Sequence, residues 1–237
     1  MRIAMWSGPR NLSTAMMYSF GNRGDCAVVD EPFYAAYLKM TGLDHPMREE
    51  IMDSQSQDPQ VVADMLIGDI PAAKPVYYQK HMSQHMIPGM PRDWMREVTN
   101  VFLIRHPARV IASYAAKREN PNLDDIGFRQ QAELYELCRS WGQTPVVVDS
   151  YDIRQDPAAK LEQMCDAIGL AYSPKMLSWP KGGHKDDGVW AEVWYGAVWT
   201  STGFAGAEGD LPEVPEHLQP VLEEAMPYYE QLKAVKI

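Results

Sequence analysis

Short apolar runs alternate along this chain with segments whose apolar residues recur every three or four positions. Ile3 to Trp6 reads as a strand. Behind a Ser/Gly/Pro/Arg/Asn turn, Leu12, Ala15, Met16 and Phe20 fall at helical spacing. Cys26 to Val29 predicts a second strand and Val76 to Gln79 a third. Val98 to Ile104, continuously apolar from Val101, suits a central parallel position. A helix carrying Val110, Ile111, Tyr114 and Ala115 follows it. Residues 119–125 read as a loop, and Phe128, Ala132, Tyr135 and Cys138 mark one face of an amphipathic helix. Pro145 to Val148 is a further buried strand, and Asp156-Pro157 opens a helix that closes at Gly169, with Pro and Gly at its expected ends. Strands alternating with helices throughout predict an α/β fold, a three-layer α/β/α sandwich around a mostly parallel sheet.

Two stretches break the alternation. Residues 41–75 are polar and rich in Met, Asp and Gln, with a helix expected around Pro59 to Gly68, and read as an insertion or lid. Residues 176–237 form a C-terminal cap: a basic Gly-containing loop, an aromatic segment with Trp190, Val193, Trp194 and Ala197 at helical spacing, and a closing helix from Pro212 to Lys233. With 237 residues and 46% apolar content, the chain can bury a core as one domain, 1–237, carrying these additions.

Charge and cysteine usage narrow the partners. A formal charge of −10 argues against nucleic acid, which requires a basic face, but leaves room for a small anion in a local positive pocket. Cys26, Cys138 and Cys165 are odd in number and widely spaced, which fits reduced thiols rather than a disulfide framework or a metal site. The first apolar run is too short for a secretory signal, and no run approaches a membrane span. The expectation is a cytoplasmic protein with no membrane partner, its oligomeric state unread.

Four polar segments sit where strands end. Ser7-Gly8-Pro9-Arg10-Asn11-Leu12-Ser13-Thr14 joins the first strand to its helix. That arrangement aims unpaired backbone N–H groups and a positive dipole end at an anion, with Arg10 adding a planar cationic fork. Asp30-Glu31 ends the second strand, where open α/β sheets place ligand chemistry; a helix cap accounts for the pair equally well. Lys80-His81 follows the third, as an electrophile and general base or as a solvated loop. Arg105 ends the fourth strand beside a helix start. Arg109, Ser113 and Lys117 fall on one face of that helix, with Arg118 adjoining, which by itself describes a solvated basic face. The first loop lacks the G-x-x-x-x-G-K-[ST] pattern of nucleoside triphosphatases, since no Lys precedes Ser13. Two separated cationic clusters, near Arg10 and near Arg105 and Ser113, suit a nucleoside with phosphates at both ends.

Here a resemblance becomes specific. Pro9-Arg10-Asn11-Leu12-Ser13-Thr14 is similar to the 5′-phosphosulfate loop, P-[KR]-S-G-T-T, of the sulfotransferases that use 3′-phosphoadenosine 5′-phosphosulfate (PAPS). Leu103-Ile104-Arg105-His106-Pro107, continuing to Ser113, resembles their 3′-phosphate motif. Tyr151-Asp152-Ile153 with Asp156-Pro157 and Gly169 looks like their Y-E-D-L…D-P…G segment, and Lys181-Gly182-Gly183 is a weaker echo of their basic Gly loop. Leu12 stands where the family loop has Gly, and Asn11 where it has Ser.

The resemblance implies a P-loop NTPase-like fold and transfer of a sulfonate from PAPS to a hydroxyl or amine of a small acceptor. Adenosine 3′,5′-bisphosphate (PAP) is then the product, and no metal is required. It implies donor binding by Gly8, Pro9, Arg10, Asn11, Leu12, Ser13, Thr14, Arg105, Ser113, Lys181 and Gly182. Arg10 and Lys80 would stabilise charge, and Glu31, or else His81, would act as base. A nucleotide kinase or triphosphatase and a non-catalytic nucleotide-binding protein are the alternatives.

Overall fold

The computed structural model describes residues 1–115 and 120–237; Lys117 and Arg118, expected on a basic face, and Glu119, expected to begin a loop, lie outside them. Five strands form one sheet: β1 (Arg2–Ser7), β2 (Cys26–Asp30), β3 (Val76–Met82), β4 (Thr99–Ile104) and β5 (Val146–Asp149). Their order is β2-β3-β1-β4-β5 and every pairing is parallel. Each expected strand is present, lengthened by a residue or more at its polar end except β4, which ends as expected and begins at Thr99.

Alternation along the strands builds two cores. Ile3, Met5, Tyr78, Val101, Leu103, Val146 and Val148 face one side, against α1 (Ser13–Gly21). Ala4, Trp6, Phe102, Ile104 and Val147 face the other. A strand buried on both faces has no polar side, so its apolar run is continuous.

The helices in between are α2 (Tyr34–Thr41), α3 (Arg48–Ser54), α4 (Pro59–Ile67), α5 (Pro107–Ala115), α6 (Leu123–Ile126), α7 (Phe128–Ser140), α8 (Ser150–Gln155) and α9 (Pro157–Ile168). α9 packs Leu161, Met164, Cys165 and Ile168 with α1, whereas α2, α5 and α7 cover the opposite face. The insertion holds two helices, α3 and α4, where one was expected. The loop expected over 119–125 contains the start of α6, whose Asn122 accepts from Asp124 and Asp125 N–H while Asp125 answers to the Asn122 N–H. That capping box makes a one-turn helix without any apolar periodicity to announce it. In the cap, the aromatic segment forms two short helices, α10 (Ala191–Trp194) and α11 (Gly196–Trp199), and the closing helix α12 is shorter than expected, Gln219–Lys233. Among the described residues no helix is long and apolar enough to cross a membrane.

β1 lies between β3 and β4; from it the chain winds to β2 and β3 on one side, then crosses to β4 and β5 on the other. The carboxyl ends beside it therefore form the crevice at a topological switch point, where open α/β sheets bind ligands. Ser7 pairs in register with Met82, and Asp30 with Lys80. Gly8 lets α6 close on this end: a Cβ there would stand 2.3 Å from the Ile126 carbonyl oxygen.

Candidate active site

Pro9 to Ala15 line one wall of a cavity of about 510 Å³ at this crevice. Arg10 and Leu12 both take left-handed backbone, with φ of 58° and 57°. α1 has no side-chain cap, so its first-turn N–H groups lack the usual oxygen partner and face the cavity end. Asn11 turns the other way and anchors the loop, donating to the Leu103 carbonyl at 2.6 Å. Leucine in place of glycine at position 12 has thus kept the conformation that a glycine would adopt freely.

The two cationic groups expected to be separate are in contact. Arg10 Nε donates to Ser113 Oγ at 3.0 Å, and Arg105 Nη1 donates to the Arg10 carbonyl at 2.6 Å. Arg10, Arg105 and Ser113 all line the cavity. Burial, then the charge of Arg105, lowers the Arg10 pKa from its ordinary value. Arg105 also meets Glu208 from the cap, as do Arg109 and Arg154.

At the far wall lies a buried polar knot. Lys80 Nζ reaches Asp30 Oδ1 at 2.8 Å, Glu31 Oε1 at 2.7 Å and the Tyr195 hydroxyl. Tyr195 also bonds Asp30 Oδ2 at 2.7 Å and accepts from Trp190 Nε1 at 3.0 Å. Burial alone would lower the Lys80 pKa, but the Asp30 and Glu31 charges outweigh it and hold the ammonium above its ordinary value. Burial raises the Glu31 pKa, against the pull of Lys80. Glu31 has φ of 41°, a strained angle for a side-chain-bearing residue, fixed by its N–H donating to the Lys80 carbonyl at 2.9 Å. Its second oxygen stands 4.0 Å from His85 Nε2, and His85 stacks between Tyr34 and Tyr37 at 4.7 Å from each.

Of the expected Lys80-His81 pair, only the lysine reaches the cavity. Neighbouring strand residues point to opposite faces, and His81 is stacked on Trp6 at 4.4 Å, in the core with Phe33 and Trp94. Burial lowers its pKa to about 3. Lys181 and Gly182 also stand apart from the cavity lining: Lys181 is exposed, and Gly182 N–H donates to the Trp199 carbonyl at 2.9 Å. Gly8 sits behind the loop, against α6.

Several cavity residues carried no sequence motif. Tyr34, His45 and His85 line the side nearest Glu31, with the Tyr34 hydroxyl 2.8 Å from His45 Nδ1. Trp190, Trp194 and Tyr195 close it from the cap. The aromatic density of that segment is visible in the sequence, where core packing is the favoured reading. Arg154 lies in the last turn of α8, which follows β5, and carried no motif of its own. Glu208 lies in an irregular acidic stretch that offered none.

Comparison with known proteins identifies the family. The chain matches the sulfotransferase domain family over residues 1–236. It is 35% and 36% identical to Arabidopsis thaliana branched-chain-amino-acid aminotransferase-like proteins 2 and 1, over 98% of its own length and 41% of theirs. It therefore spans about two fifths of the curated relatives it matches. In fold it is similar to a sulfotransferase from Alicyclobacillus acidocaldarius, with a TM-score of 0.59 at 9% identity, covering 98% of this chain and 94% of that one. With the parallel sheet, the loop at its switch point and the match along nearly the whole length, the chain belongs to the sulfotransferase family.

Proposed function

We propose that this protein transfers a sulfonate from PAPS to a hydroxyl or amine of a small acceptor, releasing PAP. The observation that carries the reading is the two-ended cavity. A cationic loop of backbone N–H groups, Arg10, Ser13 and Thr14 lies at one end, and a buried carboxylate, Glu31, paired with Lys80 at the other.

The donor's 5′-phosphosulfate is assigned to the 9–14 loop. There the α1 dipole, the first-turn N–H groups and Arg10 meet the charge that grows on the bridging oxygen as its bond to sulfur breaks. Arg105 and Ser113 are assigned to the 3′-phosphate. Glu31 takes the proton of the acceptor nucleophile. Its Oε1 is held by Lys80, which turns Oε2 to the task, and burial makes it a stronger base than a solvated glutamate. Lys80 keeps that carboxylate ionised until the acceptor arrives and offers positive charge to the sulfonate in flight. Sulfonate transfer of this loose kind demands alignment and charge stabilisation more than covalent chemistry, by analogy with phosphoryl transfer. Tyr34, Trp190, Trp194 and Tyr195 supply an apolar wall that keeps water from the reacting sulfur.

The test is PAP release from PAPS on addition of a panel of phenols, alcohols and amines, with and without a metal chelator. Acceptor-dependent PAP formation that survives chelation supports the reading. A chain that binds neither PAPS nor PAP overturns it.

A further inference from the structure

Residues 205–213 have no regular secondary structure and meet the cavity-lining Arg105 through Glu208; apart from that one side chain they are largely exposed. The exception is Glu208, whose side chain is only 2% exposed. Its carboxylate is shared by three arginines from three elements. Arg105 comes from the end of β4; Arg109, from α5, places Nε 3.0 Å from Oε2; Arg154, from α8, donates to Oε1 at 2.7 Å. The same arginines bind the backbone on either side, Arg154 Nε donating to the Gly206 carbonyl at 2.9 Å and Arg109 to that of Gly209. A Cβ at Gly206 or Gly209 would meet nothing within 4 Å, so packing does not require glycine at either.

Three convergent guanidinium groups exceed the charge of one carboxylate and present the donors and positive charge that a dianionic phosphate requires. We propose that Glu208 is a resident counter-anion which the donor's 3′-phosphate must displace, so that this strap selects ligands carrying that phosphate. The proposal rests on the donor assignment above and adds to it Arg109 and Arg154 as partners of the phosphate. Displacement exchanges one charge-assisted set of hydrogen bonds for another. A ligand without the 3′-phosphate leaves Glu208 in place and gains nothing from the cluster.

Calorimetric titration of PAP and of adenosine 5′-monophosphate into the wild-type chain and E208Q tests this. Removing the competing charge is expected to tighten PAP binding about tenfold while leaving the monophosphate within about twofold. Equal or weaker PAP binding by E208Q, with wild-type PAP binding intact, overturns the strap proposal alone, because Glu208 would then merely brace the arginines. Loss of PAP binding by both proteins overturns the donor assignment and the strap together. Should E208Q fail to fold, cleavage of the wild-type chain after Glu208 by a glutamate-specific protease gives the same decision. PAP is expected to speed it severalfold and adenosine 5′-monophosphate to leave it unchanged. Unchanged or slower cleavage with PAP bound contradicts displacement.

Discussion

Leu12 holds a left-handed backbone at φ 57°, in a loop whose family pattern has glycine. For an L-residue that conformation costs about 1–2 kcal/mol, offset here by packing of the leucine side chain against the core around α1. L12G is expected to bind PAP within about threefold of wild type by titration while lowering the melting temperature, because it loses buried apolar area. A large loss of PAP affinity would show that the leucine itself touches the donor. Glu31 carries the second residue-scale expectation. E31Q should lower kcat about 10²–10⁴-fold and leave PAP affinity unchanged. Burial raises the pKa of Glu31 above the ordinary 4.5, and a base acts only when deprotonated. kcat/KM should accordingly rise with pH through a midpoint above 4.5, a limb that E31Q abolishes.

The end of β3 shows what an element adds to a motif. Lys80 and His81 are adjacent in sequence, and the strand sends one into the cavity knot and the other into the stack with Trp6. Sequence alone made both candidates for chemistry, because the face each would take depends on strand register. Buried and neutral, His81 has a consequence for stability instead. Its pKa falls from 6.5 in the unfolded chain to about 3 in the folded one, so the unfolded state binds more protons between those values. Stability is then fully present above pH 6.5 and declines as pH falls toward 3. H81F, which retains a ring to stack on Trp6, should show a flatter decline in denaturant midpoint over that range. An identical decline in both proteins would remove the assignment. The strands were legible because burial on both faces writes a continuous apolar run. α6 was not, since a capping box at Asn122 and Asp125 rather than periodicity makes it.

At the scale of the molecule, parallel order β2-β3-β1-β4-β5 brings Arg10, Glu31, Lys80 and Arg105 to one edge. Each stands near the carboxyl end of a strand, which is why pattern reading singled them out. Tyr195, Arg154 and Glu208 escaped it for a physical reason: they reach the site from the cap or α8, and their partners lie far along the chain. Tyr195 bonds Asp30 across 165 positions and Glu208 meets Arg105 across 103. Only the folded chain shows such pairs. The assembly of both cationic groups into one contiguous surface, through the Arg10–Ser113 bond, also makes a whole-molecule demand on the ligand. The most direct measurement is a thermal-shift titration with PAP, ADP and ATP, each with and without magnesium, on the wild-type chain and R105A. Our account expects PAP to raise the melting temperature without magnesium and more than ADP does, with that advantage lost in R105A. Stabilisation by ATP with magnesium alone would contradict it.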